Sequence, residues 1–323
     1  MSVNAKRRVT ALAASMKTTW PAIALLATVC AGPARAQDHP ENDPEFCSKL
    51  WKEVGLPSAT AAVKTSTVCH LGYITGHNNR TKTPNWVLER LTVAETGTDD
   101  DENASREGKD FAADDKLPEK AQAKPADYEG SGFDQGHNAP AADFAAKQNF
   151  LDDTFFLSNS VPQVGIGFNR SIWRSLENQV RDLVGGNRPA IYVITGPVYQ
   201  QAKPIKVRND VCGTELELPV IKPAAICPET NENSNAKCAS GVAVPAAMYK
   251  IVYDPRMQNA FAVLMANEPH TGRYKSGKGR DYIQAHRVGI ATVEELTGLR
   301  FFSALPARKQ KQMRRSCVDV RVH

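Results

Sequence analysis

The stretch Gly130-Ser131-Gly132-Phe133-Asp134-Gln135-Gly136-His137-Asn138-Ala139-Pro140 decides how the rest of the chain is read. An apolar Phe133 is followed closely by a carboxylate, a glycine and a histidine, which predicts a half-buried strand ending in a tight polar turn. Histidine has the unperturbed side-chain pKa nearest neutrality, so it suits the removal of a proton from water. Gly136 would let the backbone bend enough to present that ring. A lone histidine in a turn is more often structural than chemical. The weight comes from residues 159–181 downstream.

Between Asn169 and Val184 the spacing predicts a helix. Ile172, Trp173, Leu176, Val180, Leu183 and Val184 recur at steps of one, three and four. Asn169 stands where an N-cap belongs, and Gly185-Gly186 stops the run. Asn169, Trp173, Glu177 and Arg181 are each four apart, so amide, ring, carboxylate and guanidinium share one slowly winding stripe. The ordinary reading is a cap, a packed ring and an i,i+4 ion pair. The chemical reading gives the amide oxygen to a hard metal ion, Glu177 to a water of that ion, and Arg181 to a phosphate.

Strand-like runs occur at 71–75, 85–92 and 188–197, and a hairpin is predicted from Met248–Tyr253 and Ala260–Met265 through Asp254-Pro255. Thr292-Val293-Glu294-Glu295 has the pattern of a capping box opening a short helix that ends at Gly298, with a strand over Leu299–Phe302. Residues 95–126 are strongly charged and read as a long surface loop; residues 199–243 hold three cysteines and read as a stapled insertion. Strands dominate without regular βαβ alternation. The class is therefore α+β, a mainly antiparallel sheet core flanked by helices.

Lys6, Arg7, Arg8 and Lys17 precede an apolar run from Pro21 to Cys30, and Ala34-Arg35-Ala36 fits small-x-small cleavage. Residues 1–36 thus have the form of a secretory signal peptide, with a mature chain starting near Gln37 that is periplasmic or secreted and has no membrane span. That segment holds five Lys or Arg and no acid, so losing it takes the formal net charge from +5 to zero. Bulk charge then gives no sign of a polyanionic partner. Residues 37–69 read as a tether and 70–323 as one domain.

Six of the seven cysteines lie beyond residue 36, and an even count in an exported chain favours disulfides. The short loops favour Cys47–Cys69 and Cys227–Cys238, leaving Cys212–Cys317. Neither CxxC nor HxxxH spacing occurs, so zinc is not expected.

The motifs Gly132-Phe133-Asp134-Gln135-Gly136-His137, Leu157-Ser158-Asn159-Ser160-Val161-Pro162-Gln163 and Phe168-Asn169-x-x-x-Trp173-x-x-Leu176-Glu177 follow in order. Further runs are Thr83–Val87, Ala126–Phe133, Val193–Tyr199 and Val293–Leu299. Together they resemble the DNA/RNA non-specific endonucleases, the ββα-metal-finger group that includes endonuclease G, over about residues 70–306.

The resemblance implies a nuclease that cuts phosphodiester bonds of both DNA and RNA through contacts with the phosphate backbone. By that resemblance His137 matches the base that activates water. Asn169 matches the sole direct protein ligand of one Mg2+ ion, with Mn2+ as the alternative metal. Glu177 matches the glutamate that holds a water of the ion, Arg181 a phosphate-binding arginine, and Asn159 a second asparagine near the scissile group. Asp134 matches an aspartate that orders the turn. The finger would comprise the strand before Asp134, a second strand near Phe155-Phe156-Leu157, and the helix from Arg170.

Two positions depart from the pattern. The family motif Asp-Arg-Gly-His has Gln135 at its arginine, and a further family arginine upstream has both Arg106 and Lys109 as stand-ins. Gln135 also supports a second reading, a family member that binds nucleic acid without efficient cleavage. A third is a disulfide-stapled binding or inhibitory protein in which the stripe is an accident.

Overall fold

Apolar residues cover both faces of the central strands, as the near-continuous hydrophobic runs at 190–198, 247–254 and 259–266 require. The computed structural model describes residues 44–59, 65–97, 104–199, 205–209, 212–218, 241–275 and 277–315. In chain order the strands are β1 (Ser58–Ala59), β2 (Thr65–Cys69), β3 (Tyr73–Asn78), β4 (Thr83–Thr92), β5 (Phe133–His137) and β6 (Ser160–Val164). They continue with β7 (Ala190–Val198), β8 (Ile205–Asn209), β9 (Thr214–Leu218), β10 (Ala247–Asp254), β11 (Asn259–Ala266), β12 (Arg287–Val288) and β13 (Leu299–Arg300). The helices are α1 (Pro44–Trp51), α2 (Val93–Thr96), α3 (Gln148–Asp153), α4 (Arg174–Arg181), α5 (Gly279–Gln284), α6 (Ile290–Thr297) and α7 (Ala307–Arg314).

Seven strands form one antiparallel sheet in the order β12-β11-β10-β7-β4-β3-β2. Alternate side chains of a strand point to opposite faces, and this divides the core in two. Leu88, Ile194, Tyr249, Ile251 and Leu264 pack with Val293, Phe301 and Met313 of the C-terminal segment. Leu91, Val193, Met248, Val252 and Val263 pack with Phe168, Trp173, Leu176 and Val180 of the helical segment leading through α4. The α+β class and the predicted β10–β11 hairpin hold.

Several local expectations do not. β2, inside the expected tether, is the edge strand of the main sheet. The helix expected to be capped by Thr292 is capped three residues earlier, at Gly289, and starts at Ile290 with no side-chain cap; Glu294 is buried and accepts from the Phe301 amide at 3.2 Å and from Arg314. The predicted strand over Leu299–Phe302 is only two residues long and pairs with β1. Cys47–Cys69, by contrast, is a disulfide as expected. Cys212 is disulfide-bonded, and the other expected partners (Cys227, Cys238 and Cys317) lie outside the described residues.

A buried polar knot fixes the loop that approaches β5. His70 Nε2 lies 2.9 Å from Asp114, its Nδ1 is 3.6 Å from Asp153, and Ser158 also donates to Asp114. Burial opposes the imidazolium, but hydrogen bonds and negative charge from Asp114 and Asp153 outweigh it, so the His70 pKa is raised. A raised folded pKa gives stability that is complete below the unfolded value of about 6.5 and lost as pH climbs through the folded value. We expect His70→Gln to destabilise the protein by on the order of 3 kcal/mol near pH 5.5 and by less at pH 9. Thermal unfolding of both proteins across that range checks it; an equal loss at both pH values would mean the pair is not ionic.

Candidate active site

β5 and β6 form a two-stranded antiparallel ribbon in which Asp134 faces Gln163, Gly136 faces Val161 and His137 faces Ser160. The chain then passes through an irregular helical segment, Gly165–Trp173, into α4. Ile166 and Gly167 have non-helical dihedrals; Gly167 is at φ +84°, a conformation that needs glycine. Two strands and a helix thus meet around one cleft of about 880 Å³. Among the residues lining it are Arg106, Asp134, Gln135, His137, Asn169, Arg170, Arg174, Glu177 and Arg181.

His137 is the last residue of β5 rather than part of a turn. Gly136 beside it serves close approach, not bending: a Cβ there would lie 2.2 Å from the Gln163 side chain. Phe111 and Phe155 flank the imidazole, with ring centres 4.8 and 5.2 Å away. Its Nε2 is buried and has no hydrogen-bond partner. Burial, with Arg106 adding to it, pushes the ring's pKa down to about 3. The side chain is therefore a neutral imidazole with an uncommitted nitrogen.

Asn169 does not cap a helix as expected. Its amide nitrogen donates to Asp134 at 2.8 Å, which leaves the amide oxygen as its acceptor. Asp134 also receives Arg170 Nε at 2.8 Å. Burial acts to raise the Asp134 pKa, and the hydrogen bonds from Arg170 and Asn169 hold it below the usual range. Glu177, two turns along, is buried, and its pKa is pushed up to about 7.

A sequence model of the family described as DNA/RNA non-specific endonuclease matches residues 53–308. The chain belongs to that family. Similar relatives include a mitochondrial nuclease of Saccharomyces cerevisiae, 32% identical over 254 residues, covering 75% of this chain and 67% of that protein. Nuclease C1 of Cunninghamella echinulata is 32% identical over 233 residues, covering 72% and 81%. Among solved structures, the EndoG/EndoGI complex matches with a TM-score of 0.64 and 28% identity. The match covers 82% of this chain and 95% of that one.

In this endonuclease the second strand of the finger is Ser160–Val164, not the segment near Phe155. Phe155 and Phe156 instead pack against His137 and His70. Asn159 is not brought to the cleft. It is fully buried, its Oδ1 accepts the Ala139 amide at 2.9 Å, and its Nδ2 donates to the Ala139 and Thr154 carbonyls. Its position beneath the residues after His137 makes it a brace for the end of β5. Of the two upstream candidates, Arg106 lines the cleft with its guanidinium over Phe155, whereas Lys109 is paired with Asp152 at 2.8 Å.

Arg181 lines the cleft but is held by Asp143 at 2.7–2.8 Å. Arg170 and Arg174 were missed by sequence reasoning. They stand one residue after Asn169 and Trp173, on the neighbouring stripe of the same helical segment, and that four-residue step was the signal available. Among the described residues, no cluster of three or more His, Cys, Asp or Glu side chains could enclose a metal ion. The donor set does suit Mg2+ or Mn2+, which keep several waters: one neutral amide oxygen from Asn169, with the Glu177 carboxylate lining the same cleft.

Proposed function

We propose that this nuclease hydrolyses both DNA and RNA at the β5–β6–α4 cleft, with His137 as general base and Asn169 holding a divalent ion, Mg2+ or Mn2+. The observation that carries this reading is the neutral His137 ring, whose buried Nε2 has no partner and which lines the same cleft as the Asn169 amide. When bound, such an ion, held by the Asn169 amide oxygen, would supply positive charge against the negative charge that develops on the phosphodiester. His137 Nε2 accepts the proton of the attacking water. Asp134 orients Asn169 through its amide nitrogen, Glu177 accepts hydrogen bonds from water at the cleft, and Arg106, Arg174 and Arg181 offer guanidinium groups to phosphate. Contact with backbone rather than base edges makes sugar and sequence irrelevant.

We expect supercoiled plasmid and a structured RNA both to be degraded in Mg2+. Cleavage of neither would favour a protein that binds without cutting. We further propose export, on the cationic, apolar and Ala-x-Ala sequence of residues 1–36. Amino-terminal sequencing of exported material should begin near Gln37.

Gln135 lines the cleft as a neutral amide. In protein silenced by His137→Ala, adding Gln135→Arg should steepen the salt dependence of nucleic-acid binding by about one phosphate contact. An unchanged slope across a salt series would mean that position 135 does not meet phosphate.

A further inference from the structure

His137 and Asn169, which the proposed reaction needs in one cleft, belong to two different pieces of the finger. One ends β5 of the ribbon, and the other lies in the helical segment that leads into α4. The chain between the ribbon and that segment bends through Gly165, Ile166 and Gly167, and a bend with two glycines does not hold an angle by itself. Side chains have to hold it. One that the proposed chemistry leaves unused is Asn267, directly after β11 and 2% exposed.

β6 pairs with β5 along one edge, and no strand pairs with its other edge. On that second edge the Pro162 carbonyl and the Val164 amide need partners. Asn267 supplies both: its Oδ1 accepts the Val164 amide at 2.9 Å, and its Nδ2 donates to the Pro162 carbonyl at 3.0 Å. Nδ2 also donates to the Pro245 carbonyl at 3.1 Å, and the Asn267 backbone amide donates to the Ala246 carbonyl at 2.8 Å. Pro245 and Ala246 lead into β10, so one side chain ties the finger ribbon to the central sheet. A carboxamide carries a donor and an acceptor on one carbon, and it meets a strand edge as a peptide group does. Aspartate would offer the two carbonyls no donor, and leucine would offer neither group.

The tie sits next to the site. Gly165, which follows Val164, lies against Asp134: a Cβ there would be 2.7 Å from the carboxylate. That carboxylate accepts the Asn169 amide nitrogen at 2.8 Å. Three residues after Asn267, the His270 amide donates to the Gly167 carbonyl at 3.1 Å, so the bend is held at both ends by one short stretch of chain. We propose that Asn267 is a positioning residue of the nuclease: it anchors the β6 end of the bend to the central sheet and so sets where Asn169 stands relative to His137. The proposal rests on the reading of His137 as base and Asn169 as metal ligand.

The test is Asn267→Ala and, separately, Val164→Pro. Val164 has φ −61°, the value proline imposes, so the second change removes the one amide hydrogen bonded to Asn267 Oδ1 and leaves the central sheet alone. It is available even if Asn267→Ala does not fold. Assayed below its unfolding midpoint, each variant should lose about tenfold in kcat at saturating Mg2+ and about tenfold in Mn2+ affinity by calorimetry, the low end of the cost of removing a group that orients a metal ligand. KM should change little, because no cation at the cleft is removed. Glu294→Gln is the control for lost stability alone. It disturbs a buried carboxylate among the C-terminal elements, bonded to the Phe301 amide and Arg314, and should lower the unfolding midpoint with kcat and Mn2+ affinity unchanged. Wild-type kcat and Mn2+ affinity in either folded variant, or an equal loss in Glu294→Gln, overturns the proposal. His137→Ala and Asn169→Ala, run alongside, separate the premise from the inference. Full activity in those two would sink the reading of the site, whereas their inactivity beside a fully active Asn267→Ala would sink the role of Asn267 alone.

Discussion

Replacing His137 with alanine is expected to lower kcat on plasmid DNA by at least about a hundredfold, the scale for losing a general base. The ring is already neutral at any working pH, because burial and Arg106 hold its pKa near 3. Its nitrogen is thus available without a prior deprotonation, and the wild-type kcat profile should show no titration of this ring between pH 5 and 8. Substrate affinity should change little, since no positive charge is removed. Folding should survive, because the imidazole's neighbours Phe111 and Phe155 also pack on each other, with ring centres 5.2 Å apart. A purified, folded His137→Ala protein with near-wild-type kcat would take this residue out of the mechanism.

Asn169→Ala should also cost on the order of a hundredfold or more, for a different reason. The change removes the neutral oxygen at the cleft while leaving Asp134 its contact with Arg170, so the ribbon keeps its ion pair. The two variants should separate in metal binding. Calorimetric titration with Mn2+ should give wild-type affinity for His137→Ala and markedly weaker binding for Asn169→Ala. Equal affinity in both would place the ion elsewhere.

The sheet and the finger helix were legible because their signals are local. Apolar runs covered on both faces mark β7, β10 and β11, and the four-residue step from Asn169 to Arg181 marks one stripe of the finger's helical segment. The second finger strand was hidden by Phe155-Phe156-Leu157, whose apolar content serves packing against two histidines. The true strand carries Pro162, tolerated because the ribbon has only two strands and hence two free edges. Sequence spacing could place Asn159 near the site but could not tell a cleft amide from one spent on three backbone bonds. Arg181 looked like half of an ion pair with Glu177. Its partner is Asp143, 38 residues away and joined to it only by the tertiary fold.

Plasmid nicking by the purified protein, stripped with EDTA and then resupplied with Mg2+, tests the central claim most directly. Supercoiled DNA should be relaxed before stripping and left intact after it, with activity recovered on addition of Mg2+ in wild type but not in Asn169→Ala. Nicking that persists undiminished in EDTA, or that Mg2+ restores equally in Asn169→Ala, would contradict it.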